Sequence, residues 1–276
     1  MYQMAEAREE RALKQINYNS LLKNATSLPV VKIDRDNFLR SALKKYYNNE
    51  IIEKAIAYNP AYAGINVEKI NKIAKSSINY ETAKVSTLSF AAGIPGGFAM
   101  FGTIPADFVQ YFGHILRILQ KLTYLYGWQD LFDENGKIDD ETANLLTLFT
   151  GVMFGVSGAT GAISKIANKA AINVAKKLPQ KALTKGLIYP IVKKVATMLG
   201  IEMTKDIFAK GVSKIIPVVG GIASGSITLV TYRPMAEKLR KYLSTLKLAD
   251  TEFYTNSSSA TTFNEEKIET NGIEQN

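Results

Sequence analysis

The sequence predicts an all-α protein, a compact multi-helix bundle with glycine-rich helix contacts and a disordered acidic C-terminal tail. Three observations predict it. Apolar residues recur three and four positions apart through most of the chain, the spacing that lines one helical face. No stretch alternates apolar and polar residues for long enough to build a sheet. Proline and glycine gather at a few places, such as the GIPGG of residues 93–97, and so separate long segments rather than short strands. With 276 residues, 46% of them hydrophobic, the chain can bury one substantial core. Residues 1–30 are expected to form a polar N-terminal helix or extension, 31–248 the helical domain, and 249–276 the tail.

The elements follow in order. DRDNFLRSALKKYYNNEIIEKAIAYNP sets Phe38, Leu39, Ala42 and Tyr46 at helical spacing before Pro60 ends the pattern. NVEKINKIAKSSINYETAKVSTLSFAAG continues as one or two helices. GIPGG breaks the chain, because Pro95 has no amide to donate and its glycine neighbours accept unusual backbone angles. The next helix starts with Pro105 in its first turn and ends at Gly127, a C-cap. DENGK is a turn, after which Asp139 or Asp140 caps one long helix running through residues 140–178. Basic helical pieces follow, and SKIIPVVGGIASGSITLVTYRPMAEKLRKYL closes the folded part. The tail has one lysine against six carboxylates and too few apolar residues to offset the entropy of ordering.

Composition excludes several chemistries. With no cysteine and one histidine, neither disulfides, thiolate catalysis nor a histidine-rich metal site is expected. The start, MYQMAEAREERALKQ, mixes acids and bases without an apolar core, so a secretory signal is not expected. The expected location is the cytoplasm, at the inner face of the membrane.

The net charge of +9 is unevenly spread: residues 142–214 hold eleven lysines, no arginine and two carboxylates. Bidentate reading of phosphates or bases favours arginine, whereas attraction to an anionic surface needs only point charges. An anionic membrane surface or lipid is therefore the expected partner, with a membrane protein as a further one and nucleic acid ranked below both. Lys165, Lys169, Lys176, Lys177, Lys193 and Lys194 are the contact candidates; the alternative is a solvated helix face. Oligomeric state is not indicated.

Three uncharged runs approach the length of a membrane span. Residues 85–106 are interrupted by GIPGG, and moving the window forward puts Asp107 near its centre. Residues 142–164 and 215–232 are uncharged over 23 and 18 residues but rich in Gly, Ser and Thr, hence marginally hydrophobic. Their glycines are spaced for one helical face: Gly151, Gly155, Gly158 and Gly161, then Gly221 and Gly225. A glycine inside a helix costs about 1 kcal/mol against alanine, so the spacing points to close packing, within a soluble core or as a membrane zipper. Gly96 and Gly97 serve the turn before the next helix.

The segment after that turn carries the sharpest constellation. At about 100° per residue, Asp107, Tyr111, His114, Arg117 and Lys121 fall within about 120° of one another, opposite Phe112, Ile115, Leu116, Leu119 and Leu122. Asp107 and His114 stand about 10.5 Å apart along the axis, too far for a base and its orienting carboxylate, although Tyr111 could bridge them. Asp107, Tyr111, His114 and Arg117 are thus candidates for a ligand or head-group pocket, beside a structural network, a solvated face or a catalytic site. LFDENGKIDDET fails as a calcium loop, because its first and twelfth positions are Leu131 and Thr142. No Walker loop, G-x-S-x-G or zinc spacing occurs, so no cofactor is expected.

The order of these motifs resembles the EcsC family. The features are GIPGGFAMFGTIPADFVQYFGHILRILQKLTYLYGW, with its Pro-Gly turn, I-P-A-D helix start and Y-G-W helix end, and the late IIPVVGGIASGSITLVTYRPMAEKLRKYL. The resemblance spans roughly residues 60–245. It implies a bacterial, intracellular helical protein associated with an ABC transporter, and it implies no catalytic residue. Three function classes follow: a non-enzymatic membrane-peripheral protein, a glycine-zipper effector that inserts into membranes, and a ligand-pocket protein or hydrolase centred on the polar stripe.

Overall fold

The computed structural model describes residues 17–91, 100–101, 104–132, 138–176, 189–202 and 222–256, with backbone alone at 86–91, 100–101, 104–108, 176, 201–202 and 222–230. GIPGG and DENGK lie outside the described residues, as do Gly96, Gly97 and Gly221. The architecture is all-α. A two-residue antiparallel pair, β1 (Met100–Phe101) with β2 (Ile104–Pro105), precedes the central helix.

Helix α1 (Tyr18–Thr26) is capped by Asn17, whose side chain accepts from the amides of Asn19 and Ser20. It buries Tyr18, Leu21, Leu22 and Ala25, so the folded body includes part of the stretch expected to be a polar helix or extension. The apolar pattern after it divides into α2 (Arg35–Leu43) and α3 (Asn49–Ala57), each started by its own cap. Asp34 accepts from the Asn37 amide at 2.8 Å and Asn48 from the Ile51 amide at 3.0 Å. The second cap explains the break, since an asparagine side chain competes with the helix for backbone amides. Tyr46 falls in the intervening turn and is exposed. Helix α4 (Val67–Ala91) is a single element of 25 residues.

Helix α5 (Ala106–Leu125) is the centre of the molecule, packed against α1, α2 and α4 and against two later helices, α6 (Asp140–Phe154) and α9 (Ile222–Leu243). Val109, Phe112, Ile115, Leu116, Ile118, Leu119 and Leu122 on it are fully buried. It ends as expected at Gly127, where φ is +96° and the Trp128 amide reaches back to the Thr123 carbonyl at 3.0 Å. A Cβ at Gly127 would stand 2.9 Å from the Leu248 carbonyl oxygen.

The long helix expected over 140–178 is two helices. Asp139 caps α6 by accepting from the Thr142 amide at 2.7 Å, but α6 stops at Phe154. Gly155 takes φ +76°, and the amides of Gly155 and Val156 close back on the carbonyls of Val152 and Gly151, the Schellman termination. Gly158, at φ +90°, then starts α7 (Ala159–Ile172), which is followed by a 3-10 turn at Val174–Lys176 and by α8 (Tyr189–Glu202). The four spaced glycines therefore do not share one helix face. Gly151 alone is a close-packing position: a Cβ there would stand 2.6 Å from a Val195 methyl and 3.0 Å from Ala159 Cβ. Gly155 and Gly158 make the turn, and Gly161 has nothing within 4 Å. Gly225 lies within α9.

The chain finishes with a 3-10 turn at Lys247–Ala249 and a helical stretch over 251–256, α10. This start of the expected tail is folded: Tyr254 is buried, its hydroxyl accepts from Asn59 Nδ2 at 3.0 Å, and Thr251 donates to the Ile65 carbonyl. Residues 257–276 lie outside the described residues.

Gly151 and Gly161 separate packing from helix propensity. Gly151→Ala should lower stability by about 1–3 kcal/mol through overpacking, while Gly161→Ala should raise it by up to about 1 kcal/mol. Urea unfolding of the two variants checks both signs.

Candidate functional site

The buried stripe of α4 runs through Ile70, Ile73, Ala74, Ile78 and Val85, and Glu81 occupies a position on that stripe with its side chain 0% exposed. A carboxylate in such a place must find cations, because an unpaired buried charge costs several kcal/mol. It finds them on α5. Lys121 Nζ donates to Glu81 Oε1 at 2.5 Å, and Arg117 Nε lies 3.5 Å from Oε2, a charge contact longer than a good hydrogen bond. Both cationic side chains are themselves largely enclosed, at 14% for Arg117 and 12% for Lys121. Arg117 also donates to the Val30 carbonyl, and Lys121 lies over the rings of Phe38 and Tyr80. Burial pushes the Glu81 carboxyl up, but Lys121 and Arg117 outweigh it and hold the group below the usual carboxylate range.

The rest of the polar stripe meets α9. The Tyr111 hydroxyl pairs with Thr231 Oγ1 at 2.8 Å, and burial pushes its pKa up to about 12. Tyr232, fully buried, donates to the His114 carbonyl at 3.2 Å. His114 Nδ1 is buried without a hydrogen-bond partner. Burial lowers the imidazole pKa; Glu81 opposes the shift, and Arg117 and Lys84 add to it. Burial thus favours the neutral ring. Asp107 stands in the first turn of α5, and its side chain lies outside the described residues.

Tyr111, His114, Arg117 and Lys121 thus face two packed helices, with Glu81, Thr231 and Tyr232 as the partners that sequence reasoning missed. The signal for Glu81 was present: an acid on an apolar stripe at helical spacing implies a buried cation opposite. A second polar knot ties the far ends of the same helices. Asn71 Oδ1 accepts from Tyr126 and from Arg240 Nη1, both at 2.6 Å, and Arg240 Nε donates to Glu237 at 2.7 Å.

The basic candidates are elsewhere. Lys165 and Lys169 on α7 and Lys193 and Lys194 on α8 are all exposed, and among the described residues none has an ion pair. Lys177 and the Lys176 side chain lie outside the described residues. Ile172 and Tyr189, 66% and 63% exposed, stand one turn from Lys169 and Lys193 respectively. Among the described residues no cluster of three or more His, Cys, Asp or Glu converges for a metal ion.

Removing the Glu81 charge leaves Arg117 and Lys121 enclosed without a counter-ion, so Glu81→Gln should cost about 3–5 kcal/mol in chemical denaturation. The pH dependence has a determined sign. Both His114 and Glu81 have folded pKa values below their unfolded ones, so both contribute stability that is complete at high pH and lost on acidification. The histidine part is complete above its unfolded pKa of about 6.5 and is lost as pH falls through the lower folded value. The carboxylate part follows below about 4.5. The melting temperature should fall between pH 7 and 5, and His114→Gln should flatten that interval; an unchanged slope would show that His114 does not contribute.

No protein-family model, curated protein or solved structure matches the chain, so its own geometry carries the functional reading.

Proposed function

We propose that this is a non-enzymatic, membrane-peripheral helical protein of EcsC type that associates with anionic lipid, accessory to a transporter or an envelope process at the inner face of the membrane. One observation carries the reading. The neighbouring helices α7 and α8 turn Lys165, Lys169, Lys193 and Lys194 outward, with exposed Ile172 and Tyr189 one turn from two of them. Neither helix carries an acid apart from Glu202 at the end of α8. Basic point charges beside apolar side chains suit a lipid head-group region, where each lysine contributes about 1 kcal/mol at low salt. Among the described residues no helix is long and apolar enough to cross a membrane, and the reading requires none. The polar stripe of α5 adds no case for catalysis, since Glu81 engages both of its cations inside the protein.

The inserting alternative has one favourable observation. Helices α4 and α9 run antiparallel, with Asn71 against Arg240, and α5 runs parallel to α9, with Tyr111 against Thr231 and Tyr126 beside the Asn71–Arg240 pair. The uncharged C-terminal end of α4 and the uncharged N-terminal half of α9 therefore lie at the same end of this three-helix unit as the start of α5. Against it, Gly155 and Gly158 make a turn instead of sharing a helix face with Gly151, which weakens the first of the two glycine runs behind this reading.

Vesicle flotation with dye leakage separates the two. Replacing Lys165, Lys169, Lys193 and Lys194 by glutamate should weaken binding to phosphatidylserine vesicles by about a hundredfold or more, and high salt should do the same to the unaltered protein. Binding that survives both would rule out the basic face, and dye release would favour insertion.

A further inference from the structure

A second basic site is built between α4 and α9, on elements other than those of the lysine face. Lys75 and Asn79 on α4 and Arg233, Glu237, Arg240 and Lys241 on α9 line a cleft of about 430 Å³. The spacing explains the convergence: 75 and 79 are one turn apart, and 233, 237 and 241 are successive turns of one face. The cleft holds four cations and one carboxylate. Glu237 is occupied, because Arg240 Nε donates to it at 2.7 Å, and Arg240 is fixed from its other side by Asn71, itself held by Tyr126.

Lys75, Arg233 and Lys241 remain, all exposed and, among the described residues, with side chains in no ion pair or hydrogen bond. Cations at the C-terminal turn of a helix are ordinarily explained by the helix dipole. That accounts for Lys241 and not for Arg233, two turns earlier, or for Lys75 in the middle of α4. Like charges drawn together from two helices repel unless an anion sits between them. Arg233 offers a planar fork, Lys75 and Lys241 point charges, and Asn79 a neutral amide donor.

We propose that this cleft binds a dianionic phosphate group, either a free phosphate or the phosphomonoester head of a lipid. The proposal goes beyond the lipid-surface reading and does not depend on it, since Lys165, Lys169, Lys193 and Lys194 take no part.

The test titrates the full chain with inorganic phosphate at constant ionic strength, following amide shifts by NMR, and in parallel measures flotation on vesicles of phosphatidic acid and of phosphatidylserine at matched surface charge. Saturable shifts confined to α4 and α9 are expected. In Arg233→Gln/Lys241→Gln the affinity should fall about tenfold or more, as two charge-assisted contacts are lost. Both side chains are exposed and unbonded, so an unchanged melting curve should show the fold intact; Lys75→Gln, on the opposite wall, gives an independent second variant. Preference for phosphatidic acid that the double variant loses assigns the lipid source, and phosphate binding without that preference assigns the free ion. Either supports the site. No saturable binding of either probe, or equal affinity in both variants, overturns it. The glutamate variant of the four surface lysines should keep the phosphate titration, and the cleft variant should still float on phosphatidylserine, so failure of one proposal is distinguishable from failure of the other.

Discussion

A helix packed against five others must find partners for the polar groups it encloses, and α5 meets most of them, His114 Nδ1 excepted. Its apolar residues fill the core, but it also carries Tyr111, His114, Arg117, Gln120, Lys121 and Tyr124. The elements around it are arranged to meet them. Gln120, 0% exposed, accepts from the Ile33 amide and donates to the carbonyls of Val31 and Leu116, each at 2.9 Å. That pins the connector between α1 and α2 across the helix. Arg117 and Lys121 fix α4 through Glu81, Tyr111 and the His114 carbonyl fix α9, and Tyr124 donates to Asp130 in the segment that leaves α5. Since an unmet buried polar group costs about 1–3 kcal/mol, misplacing any of these neighbours is costly even where apolar packing would tolerate it.

The lysines follow the opposite logic. Lys121 is enclosed, bonded and surrounded by rings, whereas Lys165, Lys169, Lys193 and Lys194 are exposed and pair with nothing among the described residues. Position in the fold, not residue type, divides structural cations from those available to an outside anion. The cleft between α4 and α9 combines both kinds: Arg240 is structural, tied to Asn71 and Glu237, and it forms the wall against which Lys75, Arg233 and Lys241 stand open.

Much of the local architecture was legible because local physics sets it. The cap Asp139 acts through its own next turn, and Gly127 ends α5 with bonds inside a six-residue span. What was not legible depends on which segments meet. A polar stripe has one pattern whether it faces water or a carboxylate on another helix, so the environment of Arg117 was open until α4 was placed. Glycines at helical spacing suit a packed face or a turn equally, and the outcome at Gly155 was decided by positive φ rather than by proximity. Tyr254, inside a polar and acidic segment, is buried because Asn59, 195 positions earlier, offers its hydroxyl a partner.

Glu81 also settles how α4 is seated on α5. Replacing a buried ion pair with apolar residues of similar volume is often neutral or stabilising, so the cluster is a poor source of net stability. Its effect is on alternatives. The stripe of α4 is mostly Ile, Ala and Val, shapes that could slide by a turn against the leucines and isoleucines of α5 with modest loss. A slide of one turn moves Glu81 by about 5.4 Å and leaves a carboxylate and two cations enclosed and apart, a penalty that apolar contacts cannot recover. The tie between Asn71, Tyr126 and Arg240, at the other end of α4, imposes the same register from ten residues away. With α4 fixed at Asn71 and at Glu81, the face that α9 presents to it is fixed as well, and Arg233 and Lys241 are held opposite Lys75 as a consequence of the interior.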